Sequence, residues 1–309
     1  MIHTAQFYIN IENEEKEFLK DKYTEDISKA ITKVNNIYES KGISINYITQ
    51  EYGNCRIHFV IDFIKLLEKA DITSEDLENI NFEIYKFIFD ITGSYIEPIM
   101  IRLDYRLDIS VTLKEREVLM YLYNKTIDKY GFKKKYNKFE TTIYYNSKSI
   151  QSKIYDKEEE RKSKKENICS YEKNVLRFEV SLCNSHLNYN KRIYNMDKCI
   201  DVYLQESLYV SYLKNHLEIF IHSGDYYTIY GARKKINSSN IKESDKEKLI
   251  EFLKYISKYG ITKTTQKYSK YSFKKYKSYL NELEINPILI PKNLKEAPTY
   301  IKNPFNICA

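Results

Sequence analysis

The sequence has no tryptophan and is poor in glycine, proline and cysteine, with 7, 5 and 5 of these residues among 309. The cysteines are odd in number and form no C-x-x-C pair, which argues against a disulfide framework and a zinc ribbon. The glycines form neither a Walker A nor a G-x-G-x-x-G motif. No run approaches the about 18 apolar residues of a membrane helix, and the start lacks the pattern of a signal peptide. We therefore expect a cytoplasmic protein that does not contact a membrane.

Charge is distributed unevenly along the chain. The net charge is +7, but residues 1–100 hold 10 Lys and Arg against 18 Asp and Glu, whereas residues 101–309 hold 40 against 25. An AT-rich genome would explain the abundance of lysine but not its segregation. The asymmetry indicates an acidic partner for the second part of the chain and favours nucleic acid.

Apolar periodicity predicts an α+β fold with a largely antiparallel central sheet flanked by helices. Gly53 would lie in a hairpin between the second and third strands. The pattern predicts strands at 7–11, 43–49, 55–62, 99–109, 139–146, 152–156 and 175–183, helices at 75–89 and 113–130, and a helix or loop at 157–166.

The composition changes in the polar, basic run 231–240, which we interpret as a linker. Beyond it, helical patterns at 246–258, 262–268 and 273–283 predict a small helical domain with Gly260 after its first helix. Four of the five prolines fall in the last 23 residues, which favours an extended tail. The predicted boundaries are 1–232 for the first domain, 241–285 for the helical domain and 286–309 for the tail.

Strand alternation would gather polar side chains on one face of the sheet, because successive side chains point to opposite faces. On 99–109 the apolar set is Ile99, Ile101, Leu103, Tyr105, Leu107 and Ile109, which leaves Arg102, Asp104, Arg106 and Asp108 on the other face. The same argument adds Arg177, Glu179 and Ser181 from 175–183, Lys153, Tyr155 and Lys157 from 152–157, and Glu140, Thr142 and Tyr144 from 139–146.

These groups suit transesterification on a phosphodiester, in which a phenolate attacks phosphorus while a cation holds the non-bridging oxygens. Tyrosine has a pKa of about 10, so Tyr155 needs a nearby positive charge from Lys157 or a metal. Asp104 and Glu179 offer hard oxygen ligands, which favour Mg²⁺ or Mn²⁺ over zinc.

Each of these residues could also serve the stability of the fold rather than catalysis. Tyr155 could be a packing residue, because Tyr-x-Lys-x-x-Glu is too short to be specific. Asp104 could pair with Arg102 or Arg106, and Glu179 with Arg177, as exposed cross-strand ladders.

Four segments in this order resemble plasmid and phage rolling-circle replication initiators, above all the filamentous-phage gene II/X-type proteins and their Firmicute plasmid relatives. The segments are Arg102–Tyr105, Thr142–Ser149, Lys153–Glu160 and Leu176–Val180. The opening Met1-Ile2-His3-Thr4 is also similar, except at His3, where an acidic residue is expected. The resemblance extends over residues 1 to about 230, and 252–291 is similar to the helical C-terminal module of the family.

The resemblance implies a relaxase- or nickase-like domain, here 1–232, that nicks one strand at a replication origin. It would stay attached to the 5′ phosphate through Tyr155 and free a 3′ hydroxyl for a polymerase. Lys157 would stabilise charge, and Asp104 and Glu179 would bind Mg²⁺ or Mn²⁺. The His-hydrophobe-His metal motif of classical nickases is absent, so Asp108, Glu140 or Glu160 could replace either carboxylate.

DNA is the expected partner, as a single strand or extruded origin and as duplex bound by a helix-turn-helix in 241–285, with a host helicase and polymerase. The basic side chains assigned to DNA are Arg102, Arg106, Lys148, Lys153, Arg177, Lys263, Lys267, Lys270, Lys274, Lys275 and Lys277. Two alternatives stay open: a conjugative relaxase, and a DNA-binding regulator without enzymatic activity.

Overall fold

The computed structural model describes residues 1–51, 54–129, 142–146, 149–294 and 296–305. Within these residues, seven strands form an antiparallel sheet in the order β2-β3-β1-β4-β7-β6-β5. They are β1 Ile2–Ile11, β2 Ile43–Glu51, β3 Asn54–Asp62, β4 Ile99–Ser110, β5 Thr142–Asn146, β6 Ile150–Asp156 and β7 Val175–Cys183. This sheet, its flanking helices and the helices of the C-terminal region confirm the predicted α+β class.

Helices follow most of the strands. They are α1 Asn13–Tyr23, α2 Ile27–Tyr38, α3 Phe63–Leu67, α4 Leu77–Thr92, α5 Leu113–Lys129, α6 Lys157–Lys164, α7 Asn184–Tyr194, α8 Ile200–Tyr203, α9 Glu206–Ile221, α10 Ile229–Asn237, α11 Glu243–Lys267 and α12 Lys270–Glu282. None of these described helices has both the length and the apolar character required to cross a membrane.

The chain forms two compact units. Unit 1 comprises Met1–Leu107, Ser147–Gln151 and Glu179–Leu213, and unit 2 comprises Asp108–Asn146, Ser152–Phe178 and Lys214–Ala309. Strands β4, β6 and β7 each contribute residues to both units. The boundaries 1–232, 241–285 and 286–309 stay a prediction.

The core of unit 1 contains three aromatic rings from β1, β3 and α4. Phe7 stacks on Phe59 with ring centroids 5.6 Å apart, and Phe59 lies 5.3 Å from Phe87. All three side chains are buried, so each contributes about 1.5–3 kcal/mol of hydrophobic stabilisation relative to exposure.

Two irregularities in the pairing of β1 with β4 change which β4 side chains are buried. The register shifts between Ile2 and Thr4 and again between Gln6 and Phe7. As a result Met100 is fully buried, whereas Ile99 and Ile101 are only half-buried. The predicted apolar face of this strand is therefore wrong at its start, because a bulge moves side chains to the other face.

In unit 2, the helical C-terminal region packs around Phe252. The ring of Phe252 lies 5.1 Å from Tyr268, 5.6 Å from Phe273 and 5.2 Å from Tyr276. Gly260 interrupts α11 with φ 82° and ψ 169°, at the position predicted for a turn. This left-handed φ favours glycine, because it has no Cβ to clash with the backbone.

Two segments of unit 2 differ from a simple linker and a simple tail. The run interpreted as a linker contains most of helix α10. Thr228 caps the first turn of this helix, and Ala232 and Ile236, one turn apart, are buried. The interpretation of this run as a linker is therefore wrong over 231–237. Residues after 286 contain the buried Ile288–Ile290, and the short strand β9 Tyr300–Ile301 pairs with β8 Tyr226–Tyr227.

We predict that Gly224→Ala destabilises unit 2. Gly224 has φ 85°, and a Cβ there would lie 2.6 Å from the carbonyl carbon of Ile285 and 2.8 Å from the amide nitrogen of Asn286. A left-handed alanine together with a backbone clash should lower the free energy of unfolding by about 1–3 kcal/mol. Urea unfolding followed by circular dichroism measures this change.

Gly231→Ala provides a control in the same unit. Gly231 lies in the first turn of α10, and the nearest atom to its added Cβ is a movable Tyr227 side-chain atom at 3.2 Å. Its effect should stay within about 1 kcal/mol, because alanine also favours the helix. Equal destabilisation by both substitutions would contradict the account of Gly224.

Candidate active site

In unit 1, six polar residues from β1, β4 and β7 form what we call the Asp104 cluster. Its members are His3, Thr4, Arg102, Asp104, Glu179 and Ser181. Both oxygens of Asp104 are engaged, since Oδ1 accepts a hydrogen bond from Arg102 Nε at 2.9 Å and Oδ2 accepts one from Thr4 Oγ1 at 2.7 Å. The two predicted carboxylates, Asp104 and Glu179, thus lie in one buried group of side chains.

The bulge in β1 explains why adjacent residues His3 and Thr4 both contribute. In a regular strand they would point to opposite faces. The register shift between Ile2 and Thr4 re-aims His3, so that its Nδ1 lies 3.5 Å from Oε1 of Glu179 while Thr4 still reaches Asp104. The sequence does not predict the position of His3 beside Glu179, because alternation alone cannot predict a bulge.

Arg102 is the positive charge at the centre of the Asp104 cluster. Its NH2 group donates to Ser181 Oγ at 2.9 Å in addition to the bond with Asp104. Burial would lower the pKa of Arg102, but Asp104 and, more weakly, Glu179 raise the pKa above its usual value. The cluster therefore holds a guanidinium near two carboxylates, so the charge of Arg102 is already compensated inside the protein.

The fit of the Asp104 cluster to a divalent cation is uneven. His3 and Glu179 place a nitrogen and an oxygen close enough for one metal ion to contact both. Asp104 does not fit in the same way, because Arg102 and Thr4 already occupy its oxygens. Across the described part of the chain, no three His, Cys, Asp or Glu side chains group as a metal site.

In unit 2, charged residues around the start of α6 form what we call the Lys157 cluster. It comprises Asp108, Arg116, Asp156, Lys157, Glu160, Arg161, Glu172 and Arg177. Asp156 caps α6 by accepting a hydrogen bond from the Glu159 amide at 3.1 Å, and its Oδ2 lies 2.7 Å from Arg116 Nε. The cap fixes where β6 ends and α6 begins, immediately after Tyr155.

Lys157 is buried within this network. Its Nζ lies 2.6 Å from Glu160 Oε2 and 3.7 Å from Glu172 Oε1. Burial and then the charge of Arg177 lower the pKa of Lys157, although Glu160 opposes the shift. Its positive charge is thus balanced by two carboxylates rather than exposed to solvent.

Arg177 forms an ion pair with Asp108. Its Nε and NH2 atoms lie 2.6 and 2.7 Å from the two oxygens of Asp108, in a bidentate pair. Arg177 is fully buried, so the exposed Arg177–Glu179 ladder that the sequence allowed is wrong. Breaking such a buried pair typically costs about 3–5 kcal/mol, because it leaves a charge without compensation.

Tyr155, the proposed nucleophile, is 6% exposed at the end of β6. The Lys157 ammonium lies 5.9 Å from the centroid of its ring. Tyr155 and Lys157 belong to unit 2, and Asp104 and Glu179 belong to unit 1, so their shared face stays a prediction.

The remaining predicted residues have varied surroundings. Arg106 is buried and donates to the Ala70 carbonyl oxygen, and Lys153 is half-buried. Gly53, Glu140 and Lys148 lie outside the described residues. Of the lysines predicted to bind DNA in the helical region, Lys275 pairs with Asp245 at 2.9 Å. The others are exposed, namely Lys263, Lys267, Lys270, Lys274 and Lys277.

We predict that Glu172 makes stability depend on acidic pH. Burial would raise the pKa of Glu172, but hydrogen bonds from Arg161 and the Cys169 amide lower it below its usual range. A carboxylate with a lowered pKa stabilises the fold above its unfolded pKa, and this contribution is lost as the pH falls through the folded pKa. Glu172→Gln should therefore lower the free energy of unfolding near neutral pH. The variant should also lose less of this free energy than the wild type between about pH 5 and pH 3.

Urea unfolding at a series of pH values measures this effect. Glu243→Gln is the control, because Glu243 forms an ion pair in the same unit but its side chain is 83% exposed. Exposed pairs contribute about 0–1 kcal/mol, so this variant should follow the pH profile of the wild type. A parallel profile for Glu172→Gln would contradict the prediction.

One comparison with known proteins found a similar family. Residues 72–205, less than half of the chain, match the family model for the N-terminal part of the phage replication-associated protein of the gene II type. No curated protein matches the chain. Over these residues the chain is therefore similar to that replication-associated protein.

Proposed function

We propose that this protein initiates rolling-circle replication by nicking one DNA strand at an origin, with Tyr155 as the nucleophile. One observation carries the proposal: the stretch that matches the replication-protein family contains Asp104, Tyr155, Lys157 and Glu179. The two buried charged clusters supply the basic and acidic groups that phosphodiester chemistry uses.

In the proposed reaction, the Tyr155 oxygen forms a bond to phosphorus and the bond between phosphorus and the 3′ oxygen breaks. The phenol proton passes to a base, and the leaving 3′ oxygen takes a proton from solvent. The phosphate stays on Tyr155 at the 5′ end, so no nucleotide is hydrolysed. The freed 3′ hydroxyl is the group that a host polymerase extends, while a host helicase would separate the strands.

Lys157 and Arg102 would stabilise negative charge in this reaction. The Lys157 ammonium lies 5.9 Å from the centroid of the Tyr155 ring, and its positive charge would attract the negative charge that develops during attack. Arg102 offers a guanidinium that can hold a phosphate once Asp104 releases it. Because Tyr155 is nearly buried, the scissile phosphate would have to be bound close to the sheet to reach its hydroxyl.

Mg²⁺ or Mn²⁺ is the proposed cofactor. Asp104 and Glu179 are its proposed ligands, and the position of His3 adds a nitrogen beside Glu179. Such a cation would polarise the phosphate. Binding through Asp104 requires the cation to replace Arg102 as the partner of this carboxylate. DNA that binds Arg102 would release Asp104, so the affinity for the cation should depend on whether DNA is bound.

DNA would be held by the basic surface of the helical region as well. The proposed phosphate contacts are Lys263 and Lys267 at the end of α11 and Lys270, Lys274 and Lys277 on α12, all of them exposed. A conjugative relaxase would use the same chemistry at a transfer origin, and a regulator would bind without cleaving.

We predict that Tyr155→Phe abolishes the covalent adduct between the protein and DNA. The substitution keeps the ring and removes the attacking oxygen, so adduct formation should fall at least about 1,000-fold. Labelled single-stranded oligonucleotides that tile the replicon around the gene are incubated with Mn²⁺ and resolved on a denaturing gel.

Tyr189→Phe is the control, because Tyr189 is 44% exposed on α7. It should form the adduct as the wild type does. An adduct that survives in Tyr155→Phe would move the nucleophile to another residue, and binding of the tiled DNA without any adduct would favour the regulator.

We predict that Glu179→Gln weakens Mn²⁺ binding by at least about 10-fold, because losing even a side chain that only orients a ligand costs about 10–100-fold. Calorimetry with Mn²⁺ on the Tyr155→Phe background, with and without an oligonucleotide, measures binding apart from cleavage. Glu243→Gln should bind Mn²⁺ as its parent does. Equal Mn²⁺ affinity in the Glu179 variant and its parent would remove Glu179 from the ligand set.

A further inference from the structure

A cavity of about 590 Å³ opens within unit 2, and its lining includes none of the residues assigned to nicking. Its walls come from the second half of α9, the turn at 222–223, the second part of α11, α12 and the chain that follows α12. Its volume lies in the range of about 300–1,000 Å³ that is usual for small-molecule sites.

The lining of this cavity combines apolar walls with several polar groups. Ile261, Phe273, Leu280 and Pro287 provide the apolar surface, and Lys214, Asn215, Lys277 and Asn281 provide two ammonium groups and two amides. All four of these polar residues are exposed, so they lie where a ligand would enter. An apolar slot beside cations and amides matches the parts of a nucleotide, which are a flat base with hydrogen-bonding edges and a phosphate.

His222 contributes a neutral imidazole to the same cavity. Its backbone has a left-handed φ of 56°, and its carbonyl oxygen accepts hydrogen bonds from Asn303 Nδ2 at 2.8 Å and Asn286 Nδ2 at 3.4 Å. Two buried asparagines thus hold the left-handed backbone of His222 in place. Backbone strain of this kind is frequent at ligand sites. Burial and then Lys277 lower the pKa of His222 to about 3, so the ring is uncharged at neutral pH.

We propose that this cavity binds a single nucleotide, with the base against Phe273 and the phosphate at Lys277 and Lys214. Phe273 already packs on Phe252 at 5.6 Å, so its ring is a fixed surface rather than a mobile side chain. The nucleotide could be one base of a DNA strand or a free mononucleotide, which share this chemistry. The first source deepens the DNA-binding part of the proposed function and does not depend on Tyr155.

The test uses the full chain with its five histidines labelled with ¹⁵N and ¹³C. Imidazole NMR signals are followed while dTMP, dAMP or a short single-stranded oligonucleotide is added. A bound phosphate near Lys277 should shift the His222 signals and raise the pKa of His222, whereas thymidine without phosphate should raise it less. A shift with mononucleotides indicates the free nucleotide, and a shift with the oligonucleotide alone indicates a base of the strand.

Lys277→Gln should weaken the nucleotide affinity at least about 5-fold, a change of about 1 kcal/mol. Lys254→Gln is the matched control, because Lys254 is exposed on α11 and does not line the cavity. Asn281→Ala is a second lining variant in case Lys277→Gln fails to fold. The proposal is overturned if no probe shifts His222, or if the lining variants bind all probes as the control does.

Adduct formation is measured on the same samples to separate this proposal from the proposed function. A chain that forms the adduct while His222 stays unchanged overturns the cavity proposal alone. A chain whose His222 responds but that forms no adduct contradicts the Tyr155 mechanism alone.

Discussion

The arrangement of charge in this fold depends on the burial of β7. Each residue from Val175 to Leu182 is buried, so the strand has water on neither face. Arg177, Glu179 and Ser181 must therefore find partners inside the protein, because an uncompensated charge or polar group there is costly. Arg177 pairs with Asp108, Glu179 lies beside His3, and Ser181 accepts from Arg102.

These pairings divide the polar residues into two networks with different properties. The Asp104 cluster is small and holds one guanidinium near two carboxylates. The Lys157 cluster is larger, and its acids and bases offset one another around a helix cap. Charge held in fixed positions stabilises a transition state without reorganisation, so both networks suit the proposed chemistry.

Much of the architecture follows from local pattern in the sequence. Alternating apolar residues predicted most strands. Gly260 predicted the break in α11, because glycine readily adopts the left-handed φ that the chain has there. The linker interpretation failed at α10 because Ala232 and Ile236 bury a face against the rest of unit 2, which composition does not reveal. The face of β4 failed at Met100 because a bulge shifts the register, and a bulge depends on the partner strand.

The sequence by itself determined which residue types are available for chemistry: Tyr155 beside Lys157, carboxylates at 104 and 179, and an excess of lysine after residue 100. Periodicity also determined that Asp104 and Glu179 could share surroundings. Only the tertiary structure decided the partners, namely Arg102 for Asp104, His3 for Glu179 and Asp108 for Arg177. The physical reason is that paired side chains lie far apart in the chain, 100 positions for Thr4 and Asp104 and 69 for Arg177 and Asp108. Strand register and burial select among equally charged candidates.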